Sequence, residues 1–234
     1  MLPAMWFHRS RPRTYGRKIA RVQRLAALAL LALVGAGPLA AADDAPIRIV
    51  ALGDSLTAGF GLPVDQAFPT KLAAALKAKG IAATVANAGV SGDTTTGGLA
   101  RLDWSVPEGT DAVILELGAN DALRGADPKL TKATLEQILD KLRSRHIAVL
   151  LAGMLAPHNL GKDYTTAFDA IYPALASTHE VVFYPFFLDG VATDPKLNQG
   201  DGMHPNAAGV DVIVARILPQ VEELIARARR ARGS

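Results

Sequence analysis

Residues Val50–Leu62 read VALGDSLTAGFGL, an apolar strand that stops at Gly53-Asp54-Ser55 and continues in glycine and small residues. Three readings fit such a junction: a plain turn, a phosphate cradle, or a turn that presents one serine hydroxyl. The chain has neither the G-x-G-x-x-G nor the G-x-x-x-x-G-K-[ST] spacing with which a backbone cradles phosphate. Taken alone, a serine directly after a strand is a helix N-cap, its oxygen accepting a backbone N–H of the turn that follows. Ser55 becomes a candidate nucleophile only if a base elsewhere in the chain can reach it.

The segments around this junction set the fold. Ile47–Leu52, Ala83–Ala88, Asp111–Leu117 and Ile147–Met154 are apolar without alternation, as in strands buried on both faces of a sheet. A fifth run, VVFYPF at 181–186, is weakened by Pro185. Amphipathic stretches at Phe68–Lys79, Lys129–Arg145 and Tyr164–Thr178 lie between them, and a last helix is expected from Ala207 to about Ala231. Pro128 suits a helix start and Gly80 a helix end. Strand alternating with helix implies a three-layer α/β/α sandwich around a mostly parallel, five-stranded sheet. Ligands of such sheets bind outside the carboxyl ends of the strands. There the sequence places Gly53-Asp54-Ser55, GVSGDTTTGG (89–98), GANDALRG (118–125) and LAPHNLGKDY (155–164), with NQGDGMHPNAAG (198–209) before the last helix.

Residues 1–42 are expected to stand apart from this domain, which then runs 43–234. Seven basic residues from Arg9 to Arg24 precede an apolar run at Leu25–Gly37, and Ala40 and Ala42 form a small-residue cleavage pattern before Asp43. The apolar run is shorter than the ~20 residues of a membrane span, and the whole matches a secretory signal peptide cleaved after Ala42. An exported, periplasmic or secreted protein is therefore expected, with no stable membrane insertion once the leader is removed. The remaining chain holds 18 basic and 22 acidic residues, a net charge of −4. Its basic residues cluster only at Arg227–Arg232, read here as a frayed, solvated helix end, so no nucleic-acid partner is expected. Cysteine is absent, which excludes disulfides, thiolate metal sites and a cysteine nucleophile. About 190 residues suffice for one domain with a buried core, and a monomer is the default.

Five histidines compete for the role of base. His8 lies in the leader, His146 and His179 follow predicted helices, and His158 in the loop after the fourth strand is a weaker alternative. His204 stands in DGMHP, with Asp201 three residues upstream and Pro205 fixing the chain behind it. That spacing lets a carboxylate hold one imidazole nitrogen while the other faces outward. The same segment also reads as a polar turn with a helix cap at Asn206, and both readings can hold together. Donors for a developing oxyanion are available at Asn120, at Gly92 and at the Ser55 N–H. Asp54 is expected to accept backbone N–H groups and fix the Ser55 turn, and Asp121 to do the same beside Asn120.

Four blocks now stand in order: GDSLTAG with Ser55, NAGVSGDT with Gly92, GAND with Asn120, and DGMHP with His204. Across essentially the whole mature chain the sequence resembles the SGNH, or GDSL, hydrolases, and within them the bacterial periplasmic arylesterase and thioesterase I/lysophospholipase L1/protease I branch. SGDTTTGGLARL, ELGANDALRG and AFDAIYPALA carry the resemblance to that branch. It implies a flavodoxin-like fold, Ser55 as nucleophile, His204 as base and then acid, and Asp201 as its orienting carboxylate. It also implies an oxyanion hole of the Ser55 and Gly92 N–H groups with the Asn120 amide, and no metal or organic cofactor.

The expected partners are small-molecule acyl esters and thioesters: aryl esters, acyl-CoA and lysophospholipids. Leu123, Leu155, Pro157 and Leu160 are expected to touch substrate, with Phe60, Leu62, Met154, Phe186 and Phe187 nearby. Residues 155–164 form a candidate flap. A carbohydrate O-acetylesterase is a second reading, disfavoured by 6% aromatic content. A non-catalytic α/β binding module is the third, and it would have no use for the Asp201–His204 pair.

Overall fold

Strand β1 (Ile47–Gly53) lies inside the sheet with six of its seven residues buried, as its unbroken apolar run requires. The computed structural model describes residues 45–233; the expected leader lies outside the described residues. β1 pairs in parallel with β2 (Ala83–Gly89) on one side and β3 (Ala112–Glu116) on the other. β4 (Ala148–Ala152) and β5 (Val182–Tyr184) extend the sheet beyond β3, giving the all-parallel order β2-β1-β3-β4-β5. Chain order reverses between β1 and β3, and the crevice outside such a switch point is where ligands of this architecture bind. The register aligns Gly53 with Gly89 and with Glu116, so three of the expected site loops leave the sheet at one level.

Two helical layers close the sandwich. Helix α1 (Ser55–Ala58) follows β1 directly, and α2 (Phe68–Ala78) follows a short 3₁₀ turn. Helices α3 (Thr95–Ala100) and α4 (Leu102–Ser105) precede β3, and α5 (Ala119–Leu123) and α6 (Pro128–Ser144) follow it. Helices α7 (Lys162–Asp169) and α8 (Ile171–His179) lead to β5, and α9 (Ala207–Arg232) ends the chain. α9 packs on α2 and on β4 and β5, while α6 packs on α3, α8 and β4. Leu52, Ile114, Leu115, Leu150 and Leu151 are fully buried between the layers, each worth roughly 1.5–3 kcal/mol of transfer free energy.

The expected strands and long helices are present, with four differences. β2 is not buried on both faces: its residues are half-buried or exposed, because it is an edge strand with one neighbour. The helix expected over Tyr164–Thr178 is two helices. Pro173 has no N–H to give the Asp169 carbonyl, and the chain breaks at Ala170. β5 is only three residues long and ends before Pro185. The arginine-rich tail is anchored rather than frayed: Arg232 pairs with Asp111 and donates to the Ala45 and Pro46 carbonyls, and Arg227 pairs with Glu223 and reaches the Glu180 carbonyl.

Candidate active site

The Ser55 junction resolves its ambiguity in an unexpected way. The cap of α1 is Asp54, whose Oδ1 accepts the Leu56 N–H at 2.9 Å, and Ser55 is the first helical residue. The helix cap that local sequence assigns to Ser55 therefore belongs to its neighbour, which leaves the Ser55 hydroxyl for other work. Its Oγ lies 2.9 Å from His204 Nε2. His204 Nδ1 in turn lies 2.7 Å from Asp201 Oδ2.

The loop that brings His204 across 149 residues is closed on itself. Gln199 N donates to the His204 carbonyl at 2.7 Å, and Gln199 Nε2 donates to the carbonyls of Pro205 and Phe60. Asn206 caps α9 by accepting the Gly209 N–H, as the second reading of that segment holds. Asp201 Oδ1 accepts the N–H groups of His204 and Met203. Those bonds, first the His204 N–H, hold the Asp201 carboxyl down at about 2, so it stays ionised at neutral pH. The Phe60 ring covers the imidazole, centroids 4.6 Å apart.

Asn120 sits in the first turn of α5, after Gly118 at φ +118°, where a side chain would overlap the Tyr172 hydroxyl. The Asn120 amide donates to Asp54 Oδ2 at 3.0 Å and to the Asp93 carbonyl at 2.9 Å. Gly92 has φ +84°, a conformation that favours glycine. Among the described residues, the N–H groups of Ser55 and Gly92 have no protein acceptor. Asp121, expected to brace this region, accepts the N–H and hydroxyl of Thr95 and so ties α5 to α3.

Two buried ionisable residues escaped the sequence reading. Arg101 donates to the carbonyls of Gly53 and Ala88 at 2.8 Å each and pairs with Asp93. It thus ties the ends of β1 and β2 to the residue that receives Asn120. Glu116 accepts the Thr57 hydroxyl at 2.7 Å and the Asp54 N–H at 3.3 Å, beneath the Ser55 turn. Burial pushes its carboxyl well up, with the nearby Asp54 adding to the effect. Burial likewise raises Asp54 to about 6. Only proximity in the fold reveals either role, although Arg101 lies inside the quoted SGDTTTGGLARL block.

A cleft of about 440 Å³ opens over Ser55, His204 and Asn120. Leu123, Leu155 and Pro157 line it as expected, together with Met154 and Phe186. Leu160 does not: it lies in the 3₁₀ turn His158–Leu160, which carries the chain away from the cleft toward α7. Phe187 is fully buried against Phe68, and Leu62 packs on the core. Leu56, Leu188 and Met203 line the cleft without having been expected. His158 is exposed and lines no part of it. The candidate flap is tethered at both ends, by Ala156 N to Asp169 and by the Tyr164 hydroxyl to the Ala126 carbonyl.

Residues 51–212 match the GDSL-like Lipase/Acylhydrolase family. The chain belongs to this family. It is 41% identical over 177 residues to an arylesterase of Vibrio mimicus, covering 75% of this chain and 88% of that one. It is 38% identical over 187 residues to the thioesterase 1/protease 1/lysophospholipase L1 of Escherichia coli K12, covering 80% and 86%. The crystal structure of TesA superposes with a TM-score of 0.72 at 36% identity, covering 76% of this chain and 99% of that one. AlinE4, an SGNH-hydrolase family esterase, superposes at 0.65 with 45% identity, covering 76% and 96%. The chain is a carboxylic ester hydrolase of the SGNH type, and the arrangement around Ser55 has the parts that acyl transfer requires.

Proposed function

We propose that this hydrolase cleaves acyl esters and thioesters through an acyl-enzyme on Ser55. The observation that carries the reading is the unbroken chain from Asp201 Oδ2 to His204 to Ser55 Oγ, at 2.7 and 2.9 Å. His204 Nε2 takes the hydroxyl proton as Ser55 Oγ bonds to the acyl carbon, and the carbonyl π electrons move onto oxygen. The ionised Asp201 balances the imidazolium charge and holds the ring's orientation. Collapse of the tetrahedral species breaks the bond to the alcohol or thiol, which leaves with the proton from His204. Water then attacks the acyl-enzyme, His204 again serving as base, and the acid is released with Ser55 restored.

The oxyanion is received by the Ser55 and Gly92 N–H groups and by the Asn120 amide. Both Asn120 contacts already have acceptors, Asp54 and the Asp93 carbonyl. One N–H must therefore be shared with the oxyanion as charge develops. The aliphatic lining of the cleft, Leu123, Leu155, Leu188 and Met154, suits an acyl chain. Aryl esters, acyl-CoA and lysophospholipids are the proposed substrates; the relatives' names, arylesterase and thioesterase 1/protease 1/lysophospholipase L1, support aryl esters, thioesters and lysophospholipids as classes. Export fits the basic, apolar and Ala-Xaa-Ala sequence of residues 1–42.

The test is a panel of p-nitrophenyl esters, acyl-CoA, lysophospholipid and acetylated sugar, run with wild type and Ser55→Ala. Turnover of acyl substrates that disappears in the variant supports the reading. Turnover that survives in Ser55→Ala overturns it.

A further inference from the structure

The carboxyl edge of the sheet has two halves of opposite character, with Ser55 between them. Beyond β3, the cleft is walled by Leu123, Met154, Leu155 and Phe186. On the β2 side stand the Val90–Asp93 turn and Arg124, the residue that ends α5. Leu123 and Arg124 are adjacent, and the first lines the apolar cleft while the second reaches the other way, to the Gly92 carbonyl at 2.9 Å. The glycine proposed as an oxyanion donor is therefore also the one the guanidinium touches.

Among the described residues Arg124, Arg145, Arg229 and Arg230 have no carboxylate partner, and of these only Arg124 stands next to a residue that lines the cleft. Arg48, Arg101, Arg143, Arg216, Arg227 and Arg232 each have a carboxylate partner. Arg124 is exposed and has none among the described residues; there its guanidinium makes one hydrogen bond, to the Gly92 carbonyl. A guanidinium has five N–H donors, so most of this one faces solvent at the mouth of the site. It does so on a mature chain of net charge −4, whose overall field repels anions.

We infer that Arg124 is a specificity-determining residue that recognises a phosphate on the departing alcohol or thiol of the substrate. With the acyl chain in the apolar half, the leaving group of a substrate attached at Ser55 projects toward the β2 half. A planar guanidinium binds phosphate through paired, charge-assisted hydrogen bonds. The shared chemistry is a phosphate ester, met both in the glycerophospho headgroup of a lysophospholipid and in coenzyme A. The inference rests on the acyl-transfer reading of the site.

The experiment compares wild type, Arg124→Gln and Arg124→Lys on matched pairs of equal chain length. Acyl-CoA is set against the acyl-pantetheine thioester, which lacks phosphate, and lysophosphatidylcholine against the monoacylglycerol; a p-nitrophenyl ester is the neutral reference. In Arg124→Gln, kcat/KM for phosphate-bearing substrates is expected to fall about 10-fold further than for their neutral partners, mainly through KM. Arg124→Lys, which keeps the charge but not the paired fork, should retain only part of the preference, and added salt should erode it in wild type. A loss confined to the CoA pair or to the lysolipid pair identifies the phosphate source, and either supports the inference. An equal fall on charged and neutral members of both pairs overturns it, because Arg124 then acts only through the Gly92 turn. Failure of the hydrolase reading looks different: wild type would turn over none of the substrates, neutral ones included.

Discussion

Both ends of the sheet hold a histidine among carboxylates beside a cleft. At the carboxyl end, His204 lies 2.7 Å from Asp201 and 2.9 Å from Ser55, over a cleft of about 440 Å³. At the amino end, His179 closes α8 beside the starts of β4 and β5, where a cleft of about 330 Å³ is lined by Arg143, His146 and Arg227. His179 lies 3.8 Å from Asp140 and 4.0 Å from Glu136, and among the described residues neither ring nitrogen has a hydrogen bond. Residue types and cavity size are similar, so neither distinguishes the two places. What differs is that both His204 nitrogens have a partner: Nδ1 has Asp201 from the same self-bonded loop, and Nε2 has the Ser55 hydroxyl.

The contrast breaks most sharply by substitution. Ser55→Ala and His204→Ala are expected to lower kcat on a p-nitrophenyl ester by at least about 10³-fold, whereas His179→Gln should leave it within about 2-fold. A comparable loss in His179→Gln would erase the distinction between the two ends. Asp201→Asn comes next, with a fall of roughly 10²- to 10⁴-fold, because an amide cannot hold the ring tautomer or balance the imidazolium. A thermal melt matching wild type would show that this loss is chemical rather than structural.

Smaller effects sharpen the same contrast through the packing beneath Ser55. A Cβ on Gly53 would overlap Thr57 Oγ1 and Glu116 Oε2. Gly53→Ala is therefore expected to cost on the order of 2–3 kcal/mol, read as a fall in the urea midpoint. Among the described residues nothing lies within 4 Å of a Cβ on Gly80, at the distant end of α2; its φ of +71° leaves only the milder cost of a strained backbone to Gly80→Ala.

The smallest expected effect is a pH dependence of stability. Burial raises Asp54 from 3.8 to about 6 and moves Glu116 in the same direction. A raised folded value means that the proton is held more tightly in the native state. The Asp54 contribution is full below about pH 4 and is lost as pH rises through about 6, and that of Glu116 is lost as pH rises through its own raised value. Asp201 runs the other way: its contribution is present above about pH 4 and lost as pH falls toward 2. Between about pH 5 and 8 the melting temperature should decline, and Glu116→Gln should flatten the decline by a few degrees. A slope unchanged by Glu116→Gln would remove that carboxyl from the account.

The fold was legible in the sequence where burial left a pattern. β1, β3 and β4 are continuous apolar runs because helices cover both their faces, and Pro128 marks the start of α6. β2 misled because Ala, Thr, Val and Asn fit an edge and a centre equally well. The site was legible where neighbours in sequence are neighbours in space, as Asp201 and His204 are, and where the family blocks recur. Asp54 caps α1 through a contact only two residues long, as expected of it, whereas Arg101 beneath two strand ends and Glu116 under Thr57 depend on residues 8 to 62 positions apart. No local spacing announces such contacts. The short helices α1, α3, α4 and α5 escaped for a related reason: at four to six residues they carry less than two turns of periodicity.

The central claim is that Ser55, activated by His204, forms the covalent acyl intermediate. The direct measurement is intact-protein mass after incubation with a fluorophosphonate, followed by mapping of the modified peptide. The expected result is one phosphonyl adduct, located on Ser55 in VALGDSLTAGFGL, fast in wild type and in His179→Gln, greatly slowed in His204→Ala and absent in Ser55→Ala. An adduct on another residue, or none on folded wild-type protein that still hydrolyses esters, would contradict the account.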